Sequence, residues 1–111
     1  VVYDVASTAQ LPEFILSNGG RPIMWRTGHA EIRSKLREGH GLLGGELSGH
    51  IYINDRWYGF DDGIYTMARL LELFSLDAVP ISEIFRPYAK TRATPLLILE
   101  TPPGKAEQVV D

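Results

Sequence analysis

The chain has 111 residues, 44% hydrophobic and 23% charged, a globular composition sufficient for one domain with a single core. A net charge of −3 gives no basic footprint for nucleic acid or an anionic membrane, and the absence of cysteine excludes a disulfide framework and any Cys-ligated zinc or iron–sulfur centre. No apolar run reaches the length of a membrane span, and the start lacks the basic-then-apolar order of a secretory signal, so a soluble, cytoplasmic domain is expected.

The opening Val1-Val2-Tyr3-Asp4-Val5 is short, apolar and β-branched, and predicts a buried strand over residues 1–5. It has neither an initiator Met nor a polar lead-in, so a piece cut from a longer chain is expected. Ser7 and Thr8 are helix N-cap types, and Pro12 is tolerated in a first turn. Leu11, Phe14 and Ile15 then give one apolar face before Asn18-Gly19-Gly20 supplies a left-handed stop. Residues 21–27 predict a second short strand. A helix over 28–38 follows, with Ile32 and Leu36 inside, a Glu31–Lys35 pair outside, and Gly39 ending it. The glycine-rich residues 41–46 are a plausible third strand in this alternating context.

The pattern then changes. Residues 51–53 and 57–60 are aromatic, β-prone runs separated by Asn54-Asp55-Arg56, which predicts a hairpin. Asp61 or Asp62 can cap a long helix whose buried stripe is Ile64, Met67, Ala68, Leu71 and Phe74. Beyond residue 76, Pro80 and Pro87 punctuate a linker-like stretch. Residues 96–99 read as a buried strand closed by 101–104, and 105–111 as the start of a helix. The whole is α/β, with the first three strands parallel through helical crossovers.

Ligands of open parallel sheets bind beyond the carboxyl ends of the strands. Loops 6–8, 27–29 and 46–50 leave those ends, which brings Ser7, Thr8, Thr27, His29, Glu46, Ser48 and His50 to one edge. In Gly44-Gly45-Glu46-Leu47-Ser48-Gly49-His50, glycines permit tight turns, a carboxylate accepts from two neighbouring hydroxyls, and a serine donates or accepts. That set suits a vicinal diol on a sugar ring; a solvated turn glutamate fits the same residues. His29, after Gly28 at a helix start, suits either contact with a substrate oxygen or a bond to backbone or water. His40, between two glycines, is read as a turn residue. His50 either holds the Glu46 loop or touches ligand. For Asp61-Asp62 helix capping is favoured over paired catalytic carboxylates or a metal site, and for Trp25, Trp57 and Tyr58 packing is favoured over a sugar-stacking platform.

The run G-G-E-L-S-G-H, followed by R-W-Y-G-F-D-D-G-I-Y-T-M-A-R-L-L-E-L, resembles the third domain of the α-D-phosphohexomutases, in particular their bacterial phosphomannomutase/phosphoglucomutase members. The likeness extends back through G-G-R-P-I-M-W-R-T-G-H and V-V-Y-D-V and covers about residues 1–75. It implies a three-layer α/β/α domain with a small mixed, mostly parallel sheet, one of four domains around a cleft. It also implies that Glu46 and Ser48 bind the third and fourth hydroxyls of a hexose, that His29 contacts the substrate, and that the second hydroxyl goes unread. Glucose and mannose phosphates would then both be accepted. The implied reaction moves phosphate between positions one and six through a bisphosphorylated intermediate, using a phosphoserine and Mg2+.

This chain departs from the family pattern in several places. A lysine and a basic neighbour usual after the first strand are Ala6 and Ala9 here, which weakens charge-assisted contacts to a phosphorylated substrate. Nothing resembles the family's phosphoserine loop or its aspartate-rich Mg2+ loop. Residues 92–100 resemble a shortened fourth-domain phosphate loop and the strand after it, which nominates Arg92 and Thr94 as phosphate contacts; the alternative is an edge strand completing the sheet. Residues 1–75 are therefore read as a sugar-recognition domain, and 76–111 as a linker with a strand and short helix that complete the domain or remain from a truncated fourth one. The chain alone is expected to bind hexose phosphate weakly, without a cofactor of its own and without catalysis, beside the remaining domains of a parent enzyme. The rival reading is a non-catalytic fragment or interaction module of the same fold that binds no sugar.

Overall fold

The computed structural model, which describes residues 1–76, 78–86, 88, 94–95, 97–98 and 100–105, forms a four-stranded mixed sheet in the order β2-β1-β3-β4. β1 (Val2–Asp4) lies between β2 (Ile23–Trp25) and β3 (Leu43–Gly45) and runs parallel to both; β4 (Ile51–Ile53) lies antiparallel against β3. The strands are shorter than the apolar runs that generate them, yet the pairing continues past their ends: Ile23 N–H donates to the Val1 carbonyl and Val5 N–H to that of Trp25. Three short strands joined by helices pair in parallel, as the alternating pattern predicts.

α1 (Leu11–Ser17) begins later than Ser7 or Thr8 would set it. Gln10 stands at its N-cap without a side-chain bond, because the Ser7 hydroxyl is bonded to Asp4 instead. Ile15 is buried, Leu11 half-buried and Phe14 exposed with its ring edge-on to Tyr88, so the expected apolar face is covered only in part. The left-handed stop is present at Gly19, with φ of 76°.

α2 (His29–Glu38) covers one face of the sheet. Its Ile32 and Leu36 form the core with Val2 and Tyr52, flanked by Ile23 and Trp25. Each such burial contributes about 1.5–3 kcal/mol. Gly44 admits this approach, since a Cβ there would stand 2.8 Å from Leu36 and 2.9 Å from Ile32. Lys35 does not pair with Glu31. It lies over the Trp25 ring, 4.1 Å from the centroid, which directs its ammonium to Glu38 at 2.9 Å.

Of the expected hairpin around Asn54-Asp55-Arg56 only a single antiparallel bridge forms, Tyr52 opposite Asp61, with the Gly59 N–H on the Ile53 carbonyl at 3.0 Å. β4 pairs back onto β3 through the turn at 46–50, and residues 57–60 are not a strand. Trp57 stacks face to face on Tyr65, with centroids 4.3 Å apart, and its indole N–H donates to Asp62, so the segment is drawn to the next helix rather than along β4. That helix, α3 (Gly63–Leu76), is capped by Asp62, whose Oδ1 accepts from the backbone N–H groups of Ile64 and Tyr65, both at 3.0 Å.

The predicted buried stripe of α3 is not buried. No residue of α3 is buried: Leu70 and Leu73 line an open groove with Leu43, Ile51 and Ile53 on the sheet face opposite α2 and remain exposed, as do Ile64, Met67 and Leu71 on the other side of the helix. Leu11 of α1 reaches the same sheet face beside Tyr3, so the arrangement is α/β/α. After Pro80 the linker-like stretch contains a short helix, α4 (Ile81–Phe85). Of the strand expected at 96–99, Leu97 and Ile98 are exposed and belong to no strand, while 96 and 99 lie outside the described residues, as does most of the helix start expected at 105–111.

Candidate functional site

The loops that follow β1, β2 and β3 meet at one edge of the sheet, and the residue that joins them is Asp4, the last of β1. It is 1% exposed, a costly position for a carboxylate without donors. Its Oδ1 accepts from the Ser7 hydroxyl at 2.6 Å and the Leu47 N–H at 3.2 Å, and its Oδ2 from the Thr27 hydroxyl at 3.3 Å. One carboxylate thus ties all three loops. Ser7 and Thr27, expected on the ligand edge, are engaged inward by these bonds.

Glu46 follows β3 directly and is 8% exposed, which removes the reading of a solvated turn residue. Its Oε1 accepts from the Tyr52 hydroxyl at 2.5 Å and its Oε2 from the Gly28 N–H at 3.1 Å. With one protein donor on each oxygen, the carboxylate is fixed while retaining further acceptor capacity. Burial, and then the hydrogen bond to Glu46 with the negative charges of Glu46 and Asp61, push the Tyr52 phenol far above its ordinary value, so that it remains a donor.

The Gly28–Glu46 bond brings His29, the exposed first residue of α2, next to the third loop. Ser48 is exposed in the turn. The turn is closed by the Glu46 N–H on the His50 carbonyl at 3.0 Å and the Gly49 N–H on the Glu46 carbonyl at 2.9 Å, with Gly49 at φ of 92°. His50 Nδ1 lies 2.5 Å from Asp61 Oδ2, an arrangement that secures the far side of the turn. The two aspartates therefore divide their work: Asp62 caps α3 and Asp61 holds His50.

Other expected residues are not gathered here. Thr94 is exposed and outside the sheet, and Arg92 lies outside the described residues. Trp25 and Trp57 pack as read, whereas Tyr58 is largely exposed beside Trp57. The loop from Val5 to Gln10 contains no charged side chain that could meet a phosphate. Among the described residues no group of three or more His, Asp or Glu side chains converges. Asp4 and Tyr52 were not singled out from sequence. The available signal was a carboxylate within an apolar strand and a hydroxyl between two isoleucines, both at positions where burial demands partners.

The sheet order, the helices on both faces and the loop edge define an α/β/α domain with a rim of polar groups at its parallel strand ends. Over residues 1–91 the chain matches the family described as phosphoglucomutase/phosphomannomutase, alpha/beta/alpha domain III, and it belongs to that family. It is 45% identical over 95 residues to a phosphomannomutase/phosphoglucomutase of Pseudomonas aeruginosa, covering 86% of this chain and 20% of that protein. It is 43% identical over 112 residues to a phosphoglucomutase of Neisseria meningitidis, covering 100% of this chain and 24% of that protein. A crystal structure of a phosphoglucomutase/phosphomannomutase family protein from Burkholderia thailandensis superposes with a TM-score of 0.78 at 47% identity, covering 85% of this chain and 20% of that one. The chain thus spans between a fifth and a quarter of the length of these relatives.

Proposed function

We propose that residues 1–75 are the sugar-recognition part of a phosphohexomutase that interconverts hexose 1-phosphate and 6-phosphate, and that 76–111 are a linker and tail completing this domain or left from a truncated fourth one. The observation that carries the reading is the Glu46 carboxylate, held by one donor on each oxygen at the rim where the loops meet. So fixed, it can accept from two adjacent hexose hydroxyls, with the Ser48 hydroxyl and the His29 imidazole beside it as further contacts. Arg92 and Thr94 are the proposed phosphate contacts. The phosphoserine and the Mg2+ of the reaction belong to other parts of the parent enzyme, in a cytoplasmic setting. Among the described residues no helix is long and apolar enough to cross a membrane.

Catalysis of phosphoryl transfer rests on positioning, metal and a phosphate carrier. Of these the chain supplies the positioning of the sugar. Ala6 and Ala9 favour a second reading, an interaction module of the same fold without sugar binding. Titration with glucose 6-phosphate or mannose 6-phosphate, followed by amide NMR shifts, separates the two. Shifts at residues 28–29 and 46–50 that disappear in Glu46→Gln are expected. Equal shifts in that variant, or none at these loops in the wild-type chain, would favour the second reading.

A further inference from the structure

The turn at 46–50 is closed by two backbone hydrogen bonds and by His50 on Asp61, without apolar packing of its own. Leu47 is exposed, so it provides no apolar anchor, and Gly49 adds backbone freedom. Segments with few buried apolar contacts open first, and a binding loop that must be ordered by its ligand binds more weakly. Two side chains buried in the sheet reach the first two residues of this turn from different strands. Tyr52, fully buried on β4, donates its hydroxyl to Glu46; Asp4, buried on β1, accepts from Leu47 N–H. Phenylalanine would fill the same core volume, and a buried hydroxyl is costly unless bonded, so the Tyr52 oxygen acts on Glu46 rather than on packing.

We infer that Tyr52 and Asp4 are positioning residues of this loop, Tyr52 fixing the Glu46 carboxylate and Asp4 fixing the backbone beside it, so that the geometry of the rim is imposed by the sheet before any ligand arrives. The purpose given to this arrangement rests on the sugar-site reading, while the holding itself is measurable in the unliganded chain. Amide hydrogen exchange reports it directly, because Gly28 N–H is bonded to the Glu46 side chain, Gly49 N–H to its carbonyl and Leu47 N–H to Asp4.

The experiment compares the wild-type 111-residue chain with Tyr52→Phe, Asp4→Asn and the core control Ile32→Val. Tyr52→Phe is expected to speed exchange at Gly28 and Gly49 about tenfold beyond any change at Leu36, the size of one lost hydrogen bond to a charged group. Asp4→Asn is expected to do so at Leu47, and Ile32→Val to act evenly on all four amides. Tyr52→Phe should also weaken glucose 6-phosphate binding about tenfold where Ile32→Val leaves it unchanged. An even exchange profile in Tyr52→Phe, the same as that of Ile32→Val, would overturn the inference. Local loosening by Tyr52→Phe in a wild-type chain that shows no sugar-phosphate shifts would support the holding and overturn the sugar reading instead.

Discussion

The strand-end rim and the helix α3 are built by opposite means. At the rim, buried carboxylates at Asp4 and Glu46 collect five hydrogen bonds from four different segments, and little apolar surface is involved. α3 is apolar on two sides and buries neither: Leu70 and Leu73, toward the sheet, are exposed, and so are Ile64, Met67 and Leu71 on the outer side. Directional bonds fix a geometry within this chain alone, whereas an apolar face left exposed adds little to this chain's own stability. The rim therefore has its shape already, and α3 contributes to this chain less than its sequence suggests.

The contrast can be broken most severely at Asp4. Replacing it with Ala leaves the Leu47 N–H and two hydroxyls without their acceptor, and urea denaturation should show a loss of about 3 kcal/mol. A loss as small as that of an exposed substitution would mean that the three loops are held by something else.

Next in size is a pH effect at Tyr52. Its phenol is raised in the folded chain, so folding favours the protonated form; the resulting stability is fully present below the ordinary phenol value of 10.0 and declines as pH rises above it. Between pH 10 and 11.5 the slope is expected to steepen toward about 1.4 kcal/mol per unit more in the wild-type chain than in Tyr52→Phe, read from paired urea denaturation curves. Parallel curves would show that the phenol is not held protonated in the folded chain.

The smallest effect is expected on α3. Ile64→Ser and Leu71→Ser, at positions 80% and 60% exposed, should each change stability by no more than about 0.5 kcal/mol in this chain. A much larger loss would place this face in contact with protein and erase the contrast with the rim.

How far the sequence carries follows the same division. The β-branched opening run, the Ile32–Leu36 spacing and the Asp62 cap are local signals, and β1, α2 and the start of α3 follow from them. The glycine-flanked Glu46 marked the rim for the same reason. Its partners did not show, because the Gly28 amide is 18 positions away and reaches it only once β2 and β3 are placed around β1. The 57–60 run is β-prone in isolation, and the stacking of Trp57 on Tyr65 overrides that preference. The period of α3 was legible, while the exposure of both its apolar sides was not, since periodicity marks an apolar face without saying what covers it.

The proposed contact between Glu46 and adjacent ring hydroxyls is tested most directly by amide NMR titration of the wild-type chain with deoxy analogues of glucose 6-phosphate. Removing the second hydroxyl is expected to leave the affinity and the shifts at 46–50 unchanged, and removing the third to weaken binding about tenfold, one charge-assisted hydrogen bond. Equal affinity for the 3-deoxy analogue, or a loss confined to the 2-deoxy analogue, would contradict the assignment.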